Sequence, residues 1–226
     1  MRDDRRPRRP GPGELALFIA IPVPAQAAAR VAALVDEIRE GLDGAGNGHA
    51  VHGHGGRVRW VRFEGLHITI RFLGATGIDR IASLRGAIDG VAATTAPFDV
   101  GISGAGAFPS DARPRALWLG LSPGEVDLAD VAERLEGELI ARGWPPEARP
   151  FRAHLTVART DGVRSEPMAA QALEAAAADL QLRFRADELV LFESRPAADH
   201  GPAEYHRVHA APFASIADEP VTRPER

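Results

Sequence analysis

The sequence lacks two of the most reactive side chains, because its 226 residues include no cysteine and all 27 of its basic residues are arginines. The absence of cysteine excludes disulfides, cysteine-ligated zinc, iron–sulfur clusters and thiol nucleophiles. The absence of lysine excludes Schiff-base chemistry, a P-loop phosphate site and nucleic-acid ligation through a lysyl-adenylate. The remaining chemistry depends on histidine, carboxylates, hydroxyls and arginine.

Long apolar segments are also missing. No stretch approaches the roughly 20 apolar residues of a transmembrane helix, so no membrane association is expected. The segment LALFIAIPVPA (15–25) follows several arginines and resembles a secretory signal, but Pro22 and Pro24 interrupt it. We therefore interpret residues 15–21 as a buried strand. We expect a cytoplasmic protein and, since no exposed heptad pattern is present, a monomer.

Charge is unevenly distributed along the chain. Residues 1–13 carry five arginines and two aspartates, a net charge of +3, whereas the remainder carries 22 arginines against 29 acidic residues, a net charge of −7. The first 13 residues are rich in arginine, proline and glycine, which predicts a disordered tail. Residues 14–213 are expected to form a single domain and residues 214–226 a C-terminal tail. An acidic body is unusual for a protein that binds nucleic acid.

A glycine-rich segment at residues 41–57 carries three histidines, His49, His52 and His54. Three close histidines could bind a metal ion. However, seven glycines provide no rigid frame, and Asp43 is the only carboxylate nearby. We therefore interpret the segment as a flexible loop and keep a metal site as the alternative.

The rest of the chain alternates between helical and strand-like patterns. Strands are predicted near residues 15–21, 57–63, 67–73, 98–107, 115–121, 152–159, 187–194 and 204–210. Helices are predicted near residues 24–41, 78–92, 125–142 and 166–180. Several strands follow one another without a helix between them, and Gly65 fits a tight turn between 57–63 and 67–73. This pattern favours an α+β fold with antiparallel pairing over a doubly wound parallel sheet.

Two similar segments carry the most distinctive chemistry: HITI at residues 67–70 and HLTV at residues 154–157, which lie 87 positions apart. Strand side chains alternate between faces, so each segment presents its histidine and threonine on one face and its aliphatic residues on the other. Each segment is preceded by a phenylalanine and followed by a helix-forming stretch. The repeat indicates two similar β-units that each contribute one histidine and one threonine to a shared cleft.

Two histidines across a cleft can act as a general acid and a general base, because the imidazole pKa of about 6.5 allows one neutral and one protonated ring. The hydroxyls of Thr69 and Thr156 suit the oxygens of an anion, and Arg159 could add a charge-assisted contact to a phosphate. In a regular strand Arg159 points away from the face that holds His154, so its participation requires a β-bulge or a strand end. This set predicts a displacement at phosphorus without a metal or cofactor.

The two segments resemble the paired HxTx motifs of the 2H phosphoesterase superfamily. Their context is similar to the RNA 2′,3′-cyclic phosphodiesterases, also called the 2′-5′ RNA ligase or LigT-like family. The similar segments are LFIAIPVP (17–24), VRWVRFEGLHITIRFLG (58–74), GAFPSDARPRALWLGL (106–121), RPFRAHLTVAR (149–159) and DELVLFES (187–194). The resemblance extends from about residue 15 to residue 213.

The resemblance implies a bilobal α+β fold, in which two pseudo-symmetric antiparallel-sheet lobes with helices on the outside frame a central cleft. It also implies metal-independent hydrolysis of the ribose 2′,3′-cyclic phosphate at the end of an RNA to a 2′-phosphate. Carried over, His67 is the proton donor to the leaving 3′-oxygen and His154 is the proton acceptor that activates water. Thr69, Thr156 and Arg159 then bind the phosphate.

The family name further implies an ATP-independent 2′-5′ RNA ligation, which is the same displacement in reverse with an RNA 5′-hydroxyl as nucleophile. Such a reaction needs no lysine. Two other functions remain open: hydrolysis of a small cyclic nucleotide or another phosphodiester metabolite, and a non-catalytic module that binds RNA ends.

Several arginines near the motifs could line the cleft, although a solvated surface charge is the more common role of such a residue. They are Arg57, Arg59, Arg62, Arg71, Arg113, Arg115, Arg149 and Arg152. The segment 195–205 matches the family loosely, so Tyr205 receives no role.

Overall fold

The computed structural model describes residues 8–44, 58–160, 167–197 and 202–214, which form nine strands and four α-helices. The strands are β1 (Glu14–Pro22), β2 (Arg59–Trp60), β3 (His67–Gly77), β4 (Phe98–Phe108), β5 (Ala116–Leu121), β6 (Leu155–Arg159), β7 (Leu182–Ala186), β8 (Glu188–Arg195) and β9 (Glu204–Pro212). The helices are α1 (Ala25–Gly44), α2 (Ile81–Ala92), α3 (Glu125–Ala141) and α4 (Pro167–Ala177). Short 3₁₀ turns at Phe63–Gly65 and Ile78–Arg80 precede β3 and α2.

The strands form two sheets, in which every pairing is antiparallel. The first sheet has the strand order β3-β1-β8-β9, and the second sheet has the order β2-β6-β5-β4-β7. The two histidine segments therefore belong to different sheets, with β3 at an edge of the first and β6 next to the edge of the second. This arrangement confirms the α+β prediction.

Each sheet is covered on one face by two helices. Helices α2 and α3 pack against the first sheet, whereas α1 and α4 pack against the second. The apolar stripe of α3, formed by Leu128, Val131, Leu135 and Leu139, is at most 1% exposed. Helix α1 follows a strand of the first sheet and α3 a strand of the second, so the two lobes exchange helices and share one continuous core. None of the described helices is long and apolar enough to cross a membrane.

The first sheet carries a second apolar cluster on the face away from its helices. Phe18, Ala20, Val190 and Phe192 form this cluster, and Tyr205 packs against it. Strands β3 and β6 contact each other beside this face, so an aromatic surface lies next to the point where the two sheets meet.

A β-bulge interrupts each motif strand directly after its threonine. Ile70 has no partner in the β1–β3 pairing, and Val157 has none in the β5–β6 pairing. An extra residue shifts the alternation of the side chains that follow it by one position. Two successive residues are consequently buried at each bulge, Ile70 with Arg71 and Val157 with Ala158.

The segment 57–63 differs from its prediction. Only Arg59–Trp60 forms a strand, and it pairs with β6 rather than with residues 67–73. Strand β3 pairs with β1 instead, whose apolar run offers a longer matching surface. The predicted turn at Gly65 is a 3₁₀ turn through which the chain passes from the second sheet to the first. The predicted hairpin was wrong because a turn residue specifies a change of direction, whereas the strand partner is selected by distant residues.

Other elements also differ from their predictions. Strand β7 was not predicted, although buried Phe184 alternates with exposed Arg183 and Arg185 along it. Strand β6 begins at Leu155 rather than at 152, and α4 ends at Ala177, three residues before the predicted end.

Candidate active site

His67 and His154 come together in one pocket where β3 and β6 meet. His67 is the first residue of β3, and His154 immediately precedes β6. The pocket is lined by Val61, Gly65, Leu66, His67, Thr69, His154, Thr156, Arg159 and Tyr205. The structure therefore brings all five residues that the sequence singled out into a single site.

The two imidazoles are held by the same kind of hydrogen bond. Nδ1 of His67 donates to the main-chain oxygen of Gly65 at 2.6 Å, and Nδ1 of His154 donates to the main-chain oxygen of Arg152 at 2.7 Å. In both cases the carbonyl belongs to the residue two positions before the histidine. A carbonyl oxygen can only accept, so the proton of each neutral ring lies on Nδ1 and the lone pair on Nε2. Nε2 is thus the nitrogen that either ring can offer to a ligand.

The two threonines complete the polar lining. Thr69 and Thr156 are half-buried and follow their histidines by two positions, on the same face of the strand. Neither hydroxyl makes a hydrogen bond to another described residue of the chain. Both hydroxyls are therefore available to donate to the oxygens of a bound anion.

The bulge at Val157 brings Arg159 into the site. Without it, strict alternation places Arg159 on the face opposite His154. With the extra residue, Arg159 lies on the side of Thr156 and lines the pocket. The sequence analysis required a β-bulge in this strand for Arg159 to reach the site, and the structure contains one.

The matching bulge at Ile70 has the opposite effect on Arg71. This side chain turns to the helix side, where it is 8% exposed. Its Nη1 binds Oε2 of Glu136 at 2.7 Å, and its Nη2 donates to the main-chain oxygen of Pro145 at 2.6 Å. The prediction that Arg71 could line the cleft was therefore wrong, and the residue instead anchors β3 to α3.

Phe72 occupies in the first motif the position that Arg159 holds in the second, five residues after the histidine. Its side chain is 58% exposed and contacts Phe18, with ring centroids 6.2 Å apart. The two half-sites thus share a histidine and a threonine but differ in the third group. Positive charge is consequently contributed to the pocket by the second sheet, whereas the first sheet contributes an aromatic surface.

Burial lowers the pKa of both imidazoles. Removal from water lowers the pKa of His67 from 6.5 to about 4; the hydrogen bond to Gly65 opposes this effect, and the charges of Arg159 and His154 add to it. The pKa of His154 is also lowered, mainly by burial and further by Arg159 and Arg152. Both rings are therefore neutral at neutral pH when no anion is bound.

Aromatic neighbours explain why the imidazoles are desolvated. Phe18 lies 4.7 Å from His67 between ring centroids, and Phe108 meets His154 edge-on at 5.1 Å. The guanidinium of Arg152 lies over Phe108 at 5.4 Å from its centroid. Each histidine is thus fixed by one main-chain oxygen and by at least one aromatic ring.

Tyr205 is a pocket residue that the sequence did not reveal. Its ring meets His67 edge-on at 4.8 Å and Phe18 at 5.2 Å. It also covers Gly65 so closely that a β-carbon there would lie 2.8 Å from Cδ2 of the ring. Burial raises the pKa of its phenol, while Arg159 opposes this effect. It is the only tyrosine of the chain, yet no motif marks it, because its position depends on the pairing of β9 with β8.

Two sequence predictions fall elsewhere. Arg62 donates to the main-chain oxygen of Pro202 at 3.3 Å and lies 3.9 Å from Glu204. Arg57 and the three histidines of the glycine-rich segment lie outside the described residues. Among the described residues, no group of three or more histidines and carboxylates could hold a metal ion.

Comparison with known proteins gives a family match and several curated relatives. The family description that matches is the 2′-5′ RNA ligase superfamily, over residues 22–197. The RNA 2′,3′-cyclic phosphodiesterases of Aeropyrum pernix and Methanothermobacter thermautotrophicus are each 32% identical, over 117 and 115 residues. These alignments cover 49% and 51% of this chain, and the chain spans 61% of the length of each relative. The enzyme of that name from Archaeoglobus fulgidus is 36% identical over 102 residues, 45% of this chain and 56% of its own.

Solved structures extend the likeness to the whole fold. TT0787 of Thermus thermophilus has a TM-score of 0.66 at 19% identity and covers 90% of this chain and 100% of its own. Escherichia coli LigT, crystallised with NADP+, has a TM-score of 0.64 at 21% identity, and the alignment covers 88% of this chain and 98% of LigT. These structures confirm the expected bilobal fold. Since the family match spans residues 22–197, well over half of the sequence, the chain belongs to the 2′-5′ RNA ligase superfamily.

Proposed function

We propose that this protein hydrolyses the 2′,3′-cyclic phosphate at the end of an RNA to a 2′-phosphate and a 3′-hydroxyl. The observation that carries the proposal is the pair of imidazoles in one pocket, each with Nδ1 bound to a main-chain oxygen and Nε2 available. Such a pair supplies a general base and a general acid on two sides of one substrate. The names of the curated relatives support the same reaction.

In the proposed reaction, Nε2 of His154 removes a proton from water as the water oxygen attacks phosphorus. The bond between phosphorus and the 3′-oxygen breaks opposite the attacking oxygen, and Nε2 of His67 donates a proton to that leaving oxygen. Thr69, Thr156 and Arg159 bind the non-bridging oxygens, where negative charge increases in the transition state. After product release the rings exchange their proton states through solvent, and the cycle repeats.

Protonation of the acid is coupled to substrate binding in this scheme. Arg159 disfavours the charged form of both rings in the unliganded pocket. A bound phosphate neutralises that guanidinium and adds a negative charge near both Nε2 atoms, so it raises the pKa of the imidazoles. One ring can then be protonated while the other stays neutral.

Replacement of either histidine tests the proposal. His67→Ala and His154→Ala should each lower kcat for a cyclic-phosphate-ended oligonucleotide by about 10²–10⁴-fold, the usual contribution of a general acid or base. His206→Ala is the matched control, because His206 is an exposed histidine that does not line the pocket. Folded variants of both pocket histidines with near-wild-type turnover would overturn the proposal.

The assignment of acid and base can be separated with a substrate that carries sulfur in place of the 3′-oxygen. A thiolate leaves without protonation more readily than an alkoxide, because a thiol pKa is about 8.5. The proposed assignment predicts that this substrate recovers much of the activity of His67→Ala and little of the activity of His154→Ala. The reverse pattern would exchange the two roles.

The same pocket could accept an RNA 5′-hydroxyl as the second substrate, which gives a 2′-5′ linkage without ATP. Incubation of a cyclic-phosphate-ended RNA with a 5′-hydroxyl RNA and analysis for joined product tests this reaction. Retention of an intact cyclic phosphate, with tight binding of the RNA end, would instead identify a binding module. We further propose that the protein acts as a monomer, since a single chain brings both histidines, both threonines and Arg159 together; sedimentation analysis tests this state.

A further inference from the structure

Two arginines stand side by side at the edge of the reaction pocket. Arg59 on β2 lies directly opposite Arg159 on β6 in the antiparallel register. Side chains that lie directly opposite in such a pair project from the same face, with Cβ atoms about 5 Å apart. Since Arg159 lines the pocket, the side chain of Arg59 leaves the sheet on the pocket side as well.

Like charges placed directly opposite across strands are destabilising unless another group compensates them. Both arginines are exposed, and neither forms an ion pair or a side-chain hydrogen bond with any other described residue. At the opposite edge of the same sheet, an arginine is compensated by an acidic residue. Arg185 on β7 lies directly opposite Asp99 on β4, and the two groups form an ion pair at 3.1 Å. Within the described part of the chain, the arginine pair at the pocket therefore has no acidic partner like the one that Asp99 provides for Arg185.

We propose that Arg59 binds the phosphodiester on the 5′ side of the terminal nucleotide while Arg159 binds the cyclic phosphate. This inference rests on the proposed function and deepens it, because it assigns an oligonucleotide end, rather than a free cyclic mononucleotide, as the preferred substrate. Two guanidiniums on neighbouring strands can each reach one of two consecutive phosphates, because each ends a long, flexible side chain. A mononucleotide has only the reacting phosphate and leaves Arg59 without a partner.

The position of β2 supports this path for the RNA. Strand β2 is the edge strand of the second sheet, so Arg59 lies at the outer edge of that sheet, beside the pocket. The chain beyond its first 13 residues has a net charge of −7 and provides no general attraction for a polyanion. Affinity for an RNA backbone must therefore come from local arginines.

The test compares two substrates in three variants. The substrates are a nucleoside 2′,3′-cyclic monophosphate and a trinucleotide that ends in the same nucleoside cyclic phosphate. The variants are Arg59→Gln, Arg59→Lys and the control Arg183→Gln, which removes one exposed arginine from the opposite edge of the same sheet. The measured quantity is the ratio of kcat/KM for the trinucleotide to kcat/KM for the mononucleotide.

Arg59→Gln should lower this ratio about 10- to 100-fold, the range given by hydrogen bonds to charged groups. It should also reduce the slope of log(kcat/KM) against log[salt] for the trinucleotide by about 0.7–1, as expected for the loss of one phosphate contact. Arg59→Lys should retain part of the ratio, and Arg183→Gln should retain all of it. A ratio that is unchanged in Arg59→Gln would overturn the inference.

A binding measurement separates failure of this inference from failure of the proposed function. If the wild-type protein hydrolyses neither substrate, the proposed function is wrong. The affinities for a 2′-phosphate-ended trinucleotide and for the nucleoside 2′-monophosphate then still test Arg59, since binding requires no turnover. Preferential loss of trinucleotide affinity in Arg59→Gln supports the second phosphate site, and equal loss for both ligands contradicts it.

Discussion

Acid should destabilise the folded protein through His67. In the unfolded chain this imidazole takes up a proton as the pH falls below its ordinary pKa of 6.5, whereas in the folded protein it stays neutral until about pH 4. Between these values the unfolded state binds more protons, so the free energy of unfolding decreases as the pH decreases. The difference corresponds to about 3 kcal/mol, because one pKa unit is worth about 1.4 kcal/mol.

The measurement is urea unfolding at intervals from pH 7.5 to pH 4 for the wild-type protein and for His67→Asn. Asparagine cannot titrate, and its side-chain N–H can still donate to the Gly65 oxygen that now accepts from Nδ1. The variant loses packing at every pH, so the test is the slope rather than the absolute stability. Between pH 6.5 and pH 4, we expect the free energy of unfolding to decrease by about 3 kcal/mol more in the wild type than in His67→Asn. Parallel curves would refute the reasoning, since they would mean that the folded protein protonates His67 as easily as the unfolded chain does.

Three further predictions follow from the pocket and its support. Both pocket imidazoles have lowered pKa values in the free protein, so the fraction that carries the catalytic proton, and with it kcat/KM, should decrease about tenfold per pH unit above pH 6.5. A plateau of kcat/KM up to pH 8 would contradict this expectation. Arg71→Ala should lower the free energy of unfolding, measured with urea, by about 2–4 kcal/mol, because it removes the ion-pair partner of Glu136. Arg71→Met combined with Glu136→Gln should recover part of this loss. Tyr205→Phe keeps the ring that packs on His67, so it should retain a higher kcat than Tyr205→Leu. Gly65→Ala should lower kcat, because the added β-carbon displaces that ring. Equal losses of kcat in the two tyrosine variants would assign the effect to the hydroxyl.

The chemistry of the site could be predicted from the sequence because it is local. A histidine and a threonine two positions apart on a strand necessarily share a face, and the repetition of this pattern predicted a shared cleft. The structure places His67, Thr69, His154 and Thr156 in one pocket, as that pattern predicted. Their roles in proton transfer and phosphate binding remain predictions for the experiments above.

The arginines could not be assigned from the sequence, because their direction depends on pairing with distant strands. One unpaired residue in each motif strand brings Arg159 into the pocket and turns Arg71 out of it. Neither bulge is visible in the local sequence, since each exists only relative to a partner strand. The position of Tyr205 and the partner of Arg59 likewise follow from strand order, which also explains why the predicted pairing of residues 57–63 with 67–73 was wrong.

The position of the phosphate in the product tests the central claim most directly. A cyclic-phosphate-ended oligonucleotide is incubated with the wild-type protein, and the terminal nucleotide is analysed by phosphorus NMR or by chromatography against 2′- and 3′-phosphate standards. In the proposed mechanism the bond to the 3′-oxygen breaks and His67 protonates that oxygen. This mechanism predicts a 2′-phosphate as the only product. A 3′-phosphate, or a cyclic phosphate that stays intact, would contradict the account.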